Sequence, residues 1–316
     1  MDILYLVIPC YNEEAVLPET SKRLKFIMEN MIKSEKISSE SRIIMVNDGS
    51  HDKTWEIISK LHDEDKMFGG IKLSRNKGHQ NALLAGLMYA KDHCDMAISL
   101  DADLQDDINA IEKMVDEYHK GNEIVYGVRS SRKTDTFFKR TTAEGFYKFM
   151  QILGVDIVNN HADYRLMSKN ALEALSEYKE VNLFLRGIVP LIGFNSSVVT
   201  YERNERFAGE SKYPLKKMMS FAFDGITSFS VKPIRFITLL GFIILACSFI
   251  GLIWLLILKL SGKTVQGWTT LMGSVWFIGG IQIFALGIIG EYVGKIYKEV
   301  KARPRYTIET IINTEK

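Results

Sequence analysis

The chain has 316 residues, 47% of them hydrophobic, and a formal net charge of +2 at pH 7. That is enough apolar material for one large domain or two smaller ones, and the near-neutral balance excludes a general nucleic-acid binder, whose footprint is a strongly basic domain. Cys10, Cys94 and Cys247 are scattered without metal-ligand spacing, which fits a reducing compartment.

The chain opens on "ILYLVIP", a first strand and not a signal peptide, because an acid stands at position 2 and the apolar run is short. A helix over 13–31 follows, then strand "RIIMVND", a helix over 53–64, strand "GIKLS", a helix over 79–93, strand "MAISLD", a helix over 108–120 and strand "EIVYGV". This alternation predicts an α/β fold with a mostly parallel, Rossmann-like sheet covered by helices. Ligands gather where the carboxyl ends of such strands converge. Four polar loops fall there: "PCYNEE", "NDGSHDKT", "SRNKGHQNA" and "DADLQDD".

Beyond residue 210 the composition changes. Stretches 236–258 and 268–290 contain no charged residue, and each exceeds the roughly 20 residues needed to cross a bilayer. Two transmembrane helices are expected, since soluble helices of that length keep a polar face. Lys216, Lys217, Lys232 and Arg235 precede the first span, and Lys295, Lys298, Lys301, Arg303 and Arg305 follow the second, against Lys259 and Lys263 between them. The positive-inside tendency puts both termini in the cytoplasm. Before the first span, "YPLKKMMSFAFDGITSFSVKPIR" mixes apolar and basic residues in the manner of interfacial amphipathic helices. The expected organisation is a cytoplasmic catalytic domain over 1–210, a juxtamembrane segment over 211–235, a two-helix hairpin over 236–290 and a cytoplasmic tail over 291–316.

No G-x-G-x-x-G follows the first strand and no G-x-x-x-x-G-K-[ST] occurs, which disfavours a dinucleotide dehydrogenase or P-loop ATPase. Mg²⁺ or Mn²⁺ is typically held by one or two carboxylates together with substrate phosphates. Asp101 and Asp103 supply such a pair and the Gln105 amide oxygen a possible third ligand, whereas Asp106 and Asp107 suit the first turn of the next helix.

Taken together, "IPCYNEE", "VNDGSHDKT", "RNKGHQNALLAGL", "DADLQDD", "HADYRLM" and "RFAGESKY" resemble, in order and spacing, the family 2 glycosyltransferases of GT-A fold. More closely they resemble the polyprenyl-phosphate group containing dolichyl-phosphate mannose synthase and the bacterial undecaprenyl-phosphate glucosyl and N-acetylglucosaminyl transferases. The likeness extends to the C-terminal pair of apolar stretches. It implies that Pro9, Tyr11, Asn12 and Glu13 cradle the nucleoside, that Asp48 also contacts it, and that Asp101, Asp103 and Gln105 hold metal and diphosphate. It further implies that Arg129, Arg140, Arg203 and Arg206 meet phosphates, that Ser211 and Lys212 suit the acceptor phosphate, and that Asp163 stands near the acceptor. An ion pair with Arg165 is the alternative for Asp163. Cys10 and Asn47 depart from the common pattern, with little consequence expected while Asp48 remains. Lys77 and His79 occupy positions where relatives vary, and His79 reads as a helix-starting residue without a chemical role.

The expected reaction is inverting transfer from a nucleotide-diphosphate sugar to undecaprenyl phosphate in the bacterial cytoplasmic membrane. UDP-glucose or UDP-N-acetylglucosamine is the preferred donor, with GDP-mannose open. A lipid phosphate is largely ionised near neutral pH, its second pKa being about 6 by analogy with protein phosphate monoesters, so no strong base is required. A polysaccharide synthase is disfavoured because none of Trp55, Trp254, Trp268 and Trp276 lies in a Q-x-x-R-W pattern, and a noncatalytic scaffold because the acids are intact. Glycines in the second span, including Gly279, Gly280 and Gly287, permit close helix packing, and some relatives are tetramers, so a homo-oligomer is expected.

Overall fold

The structure, a computed structural model, describes residues 1–130, 161–181, 183–202 and 267–313, with scattered positions between 234 and 261. It divides into two units: Met1–Lys148 with Asp156–Pro214 and Arg303–Lys316, and Phe149–Val155 with Leu215–Ala302.

The first unit is built on an eight-stranded sheet. Its strands are β1 (Leu4–Cys10), β2 (Arg42–Asn47), β3 (Phe68–Leu73), β4 (Met96–Ser99), β5 (Ile124–Arg129), β6 (His161–Ser168), β7 (Ser196–Tyr201) and β8 (Ile308–Ile312), in the order β7-β5-β6-β4-β1-β2-β3-β8. Strands β4, β1, β2 and β3 run parallel, as do β5 and β7, while β6 and β8 run antiparallel to their neighbours. The α/β, mostly parallel expectation holds.

Every residue of β1 is buried, which explains its unbroken apolar run: a central parallel strand is covered on both faces. Leu4, Leu6, Ile8 and Cys10 point into one cluster with α1 (Leu17–Lys33), α2 (Thr54–Glu64) and α4 (Ala110–His119). Val7 and Val46 face the opposite side, where α3 (His79–Lys91) lies so close that a Cβ on Gly86 would fall 2.4 and 2.7 Å from their methyls. Helix α1 buries Leu17, Thr20, Ser21, Leu24, Met28 and Met31, a spacing of three or four that lines one helical face. It starts at Leu17 and not at residue 13 because the intervening backbone is bound to the second loop. Asn12, Glu13 and Glu14 donate their N–H groups to Ser50 Oγ, Thr54 Oγ1 and Asp52 Oδ2 at 3.0, 2.9 and 3.2 Å.

Strand β6 was not expected from the sequence. Its Asp163 and Arg165 lie on one face and are buried, so two charges interrupt the alternation that announces a strand. Helix α5 (Lys169–Ser176) follows it directly, capped by Ser168, whose hydroxyl accepts from Ala171 N at 3.0 Å. Helix α6 (Leu185–Leu191) comes before β7. The segment 291–316, expected as a tail, instead contains the last turns of a helix and β8, which pairs with β3.

In the second unit, α7 (Trp268–Lys301) has 34 residues, about 51 Å at 1.5 Å per residue. Its Phe277–Lys301 portion is the one stretch among the described residues that is long and apolar enough to cross a membrane, with a mean hydropathy of 1.5. Phe277, Ile283, Phe284 and Leu286 are exposed along it. The first expected span, 236–258, and the interfacial segment 211–235 fall largely outside the described residues.

Candidate active site

The loops after β1, β2, β3 and β4 meet at one edge of the sheet and are fastened to each other. Asn12 Oδ1 accepts from His51 N at 2.9 Å, and Glu14 Oε2 from Lys53 N at 3.0 Å. Asp48 is buried and accepts from Lys77 N and Gly78 N at 2.7 and 2.9 Å. One oxygen of Asp48 serves each bond, so this acid braces the third loop. Gly49 has a φ of +64°, and a Cβ there would lie 2.4 Å from Asn76 N. Only glycine lets the second and third loops approach so closely. Pro9 is buried in β1, and Tyr11 and Glu13 are partly exposed in the loop after it.

The fourth loop carries the acids. The Thr20 hydroxyl donates to the Ala102 carbonyl at 2.7 Å, and Leu104 adopts a left-handed φ of 56°, a conformation that costs a non-glycine residue about 1 kcal/mol. The turn is closed by Gln105 N donating to Asp103 Oδ1 at 3.1 Å. Asp101 and Asp103 both belong to this loop, but their surroundings differ from those of Asp106. Asp106 is buried and accepts from Tyr201 Oη at 2.6 Å and Arg129 Nη2 at 3.2 Å. The ring of Tyr164 packs edge-on against Tyr201, with centroids 5.3 Å apart, and its hydroxyl donates to the Asp107 carbonyl at 3.1 Å. The expectation of Asp106 as a helix-capping acid is therefore corrected. Arg129, expected at a phosphate, is engaged with the acid loop itself. Asp107 accepts from Asn109 N at 3.0 Å, a turn just ahead of α4, whose own N-cap Asn109 makes no side-chain capping bond.

Strand register brings the other acid in. Ser99 pairs with Arg165 across β4 and β6, and continuing that antiparallel register by two residues sets Asp101 opposite Asp163. His79, the first residue of α3, stands between them, its Nε2 3.5 Å from Asp101 Oδ1 and 3.6 Å from Asp163 Oδ2. Burial alone would push the imidazole down, but the facing Asp163 and Asp101 raise it to about 9. Asp163 accepts from Arg165 Nη2 at 2.6 Å and from Arg186 Nε and Nη2 at 3.3 and 3.1 Å. Burial by itself would raise the Asp163 carboxyl, yet Arg186, His79 and Arg165 together hold it well below the usual range. It stays a carboxylate and is not poised to accept a proton. The ion pair with Arg165 is present, and Asp163 also joins the loop cluster through His79.

Asp101 has the opposite balance. Partial desolvation pushes its carboxyl up to about 6 despite His79, and the charges of Asp106, Asp163 and Asp103 add to the rise. Among the described residues His79 is the one cation facing this carboxylate and is shared with Asp163, so a divalent cation would add the charge that offsets the neighbouring acids. Among the described residues no group of three or more His, Cys, Asp or Glu side chains forms a metal cage. Mg²⁺ or Mn²⁺ takes one or two carboxylates together with substrate phosphates; the partly exposed Asp101, with the buried Asp103 two residues on, fits such an ion.

Arg140, Arg203, Arg206, Ser211 and Lys212 lie outside the described residues. In the sequence His79 reads as a helix start, although it follows the third strand at the same edge. Arg186 gives a single signal there, a lone charge inside "LFLRGIVPL".

Residues 5–176 match glycosyl transferase family 2, and residues 232–296 match the GtrB C-terminal hairpin. The uncharacterized glycosyltransferase YkoT of Bacillus subtilis (strain 168) is 56% identical over 313 residues, covering 99% of this chain and 93% of that protein. The prophage bactoprenol glucosyl transferase homolog of Escherichia coli (strain K12) is 38% identical over 308 residues, 97% of this chain and 98% of that one. The SfII prophage-derived bactoprenol glucosyl transferase of Shigella flexneri is 39% identical over 306 residues, 96% of each. With its acid loop and more than half its length matched, the chain belongs to glycosyl transferase family 2.

Proposed function

We propose that the protein transfers a sugar from a nucleotide diphosphate to a polyprenyl phosphate, undecaprenyl phosphate in the bacterial membrane, with inversion at the anomeric carbon. The observation that carries this reading is the convergence of Asp101, His79 and Asp163 at the carboxyl edge of the sheet. The full-length likeness to proteins named bactoprenol glucosyl transferases supports the acceptor. UDP-glucose is the preferred donor on the same ground, ahead of UDP-N-acetylglucosamine and GDP-mannose.

Asp101 and Asp103, with Gln105, would hold Mg²⁺ or Mn²⁺. When bound, such an ion supplies the positive charge that a departing diphosphate requires. The first loop, with Tyr11, Asn12 and Glu13 and with the buried Pro9 of β1 beneath it, receives the nucleoside, and Asp48 keeps the third loop closed against it. An oxygen of the lipid phosphate uses its own lone pair to bond the anomeric carbon. The bond from that carbon to the diphosphate oxygen breaks, its electron pair leaving with the nucleotide. No proton moves when the acceptor is the dianion, consistent with an Asp163 that stays ionised. Arg129 fixes the acid loop, while Arg140, Arg203, Arg206, Ser211 and Lys212 complete the phosphate contacts.

The hairpin match over 232–296 supports two spans, with the catalytic unit and both termini cytoplasmic. Among the described residues nothing lies within 4 Å of a Cβ placed at glycines 279, 280, 287 or 290, which suits close packing against the first span or a second copy. The test is transfer from radiolabelled UDP and GDP sugars into detergent-solubilised undecaprenyl phosphate, with Mn²⁺, Mg²⁺ or chelator. Metal-dependent labelling by one donor is expected. Failure of every donor, beside an active relative, would remove the acceptor assignment.

A further inference from the structure

Asp163 has more positive charge around it than one buried carboxylate needs. Arg165 lies 2.6 Å away and is nearly inaccessible, with 2% of its side chain exposed, and its Nη1 donates to the Leu185 carbonyl at 3.3 Å. That single guanidinium would already neutralise the acid. Arg186 adds a second positive charge at 3.1 Å, yet 33% of its side chain remains exposed.

Its backbone is firmly held. Leu185 N donates to Gln80 Oε1 at 3.0 Å, joining the start of α6 to the first turn of α3. Gln80 is the immediate neighbour of His79. The same two helices thus bring the imidazole and the exposed guanidinium to one oxygen of Asp163, Oδ2. The contacts run in sequence from Asp101 through His79 and Asp163 to Arg186.

Direction follows from the chemistry. In a displacement with inversion, the attacking oxygen and the leaving diphosphate lie on opposite faces of the anomeric carbon. Asp101 belongs to the acid loop that would receive the diphosphate, whereas Arg186 comes from α6 and meets that loop through Asp163 and His79. A fork of planar N–H donors is the group best suited to a phosphate monoester.

We propose that Arg186 binds the phosphate monoester of the acceptor, sharing its guanidinium between that phosphate and Asp163. This rests on the lipid-phosphate reading of the reaction. Its consequence is a division of labour: Arg165 compensates Asp163 permanently, while Arg186 offers its charge to the incoming anion.

The experiment measures KM separately for undecaprenyl phosphate and for the donor that labels lipid, in wild-type enzyme, Arg186→Gln and Arg186→Lys. Mn²⁺-dependent binding of UDP and GDP is measured on the same samples. For Arg186→Gln the acceptor KM is expected to rise about 10- to 100-fold, the range for lost hydrogen bonds to charged groups. Donor KM and nucleotide binding should change less than about threefold. Arg186→Lys keeps a point charge without the fork and should fall between the two, and it carries the test if the Gln variant does not fold. Inorganic phosphate serves as a competitor. Weaker inhibition of both variants than of wild type identifies the phosphate itself as the ligand, whereas unchanged inhibition overturns that assignment. An unchanged acceptor KM, or an equal rise for donor and acceptor, would overturn the proposal while leaving the transfer reaction intact. If wild-type enzyme labels no lipid at all, the reaction and this role fall together.

Discussion

Asp101 and Asp106 share one loop and meet opposite fates. Asp106 is buried beneath Tyr201 and Arg129, and its negative charge is matched by donors. Asp101 has 41% of its side chain exposed and is raised to about 6 by desolvation and neighbouring acids. An aspartate that is fully partnered inside the protein is structural, whereas one kept in the company of other acids is held in readiness for something that arrives from outside.

Substitution should separate the two acids. Asp101→Asn is expected to lower sugar transfer at least about 100-fold, the usual cost of removing one electrostatic stabiliser of a developing charge. Its thermal midpoint should not fall. Asp106→Asn should do the reverse in stability, lowering it by about 2 kcal/mol, because an Arg129 left beside a neutral partner loses a partly buried ion pair. Chemical denaturation of the detergent-solubilised protein measures both. Equal destabilisation by the two variants would erase the distinction.

Metal provides the next test. Mn²⁺ is expected to raise the wild-type melting temperature by a few degrees through ligand linkage, to leave Asp101→Asn unchanged, and to act on Asp106→Asn in proportion to its remaining fold. Thr20→Val probes the scaffold common to both acids. Removing the hydroxyl that donates to the Ala102 carbonyl should cost about 1 to 2 kcal/mol and reduce Mn²⁺ affinity without abolishing it, as isothermal titration would show.

The smallest effect is in the pH dependence. The folded-state value of Asp101 is raised from 3.8 to about 6, so the folded protein binds this proton more tightly than the unfolded chain does. Its contribution is therefore present below about pH 4 and is lost as pH rises through about 6. Because the side chain is partly exposed, solvent screening reduces the effect. In metal-free buffer Asp101→Asn should be more stable than wild type by about 1 kcal/mol at pH 7.5, with the difference vanishing near pH 4.

The regular part of the fold was legible because period and burial agree. Strands β1 to β4 and helices α1 to α4 follow their apolar patterns to within a few residues, and the loops between them hold the acids where the sequence places them. What escaped was pairing. Asp163 and Arg165 turn a buried strand into a run that looks polar. Arg186 hides in an apolar stretch, and the partners of Asp106 come from β5 and β7, which no local pattern connects to the acid loop. His79 has two carboxylates as neighbours only because β4 and β6 run antiparallel. Strand β8 was hidden for a different reason: its pairing with β3 spans most of the chain, and "IETII" alone reads as a tail.

That last strand has a consequence for biosynthesis. β3 receives its outer neighbour only from residues made after the long apolar helix, with Ser74 N donating to the Thr307 carbonyl at 3.0 Å and Lys72 meeting Glu309 at 2.7 Å. Until then β3 is an open edge, able to pair with another nascent chain. The sheet closes only after the apolar helix has emerged from the ribosome, which ties completion of the catalytic unit to synthesis of that apolar segment.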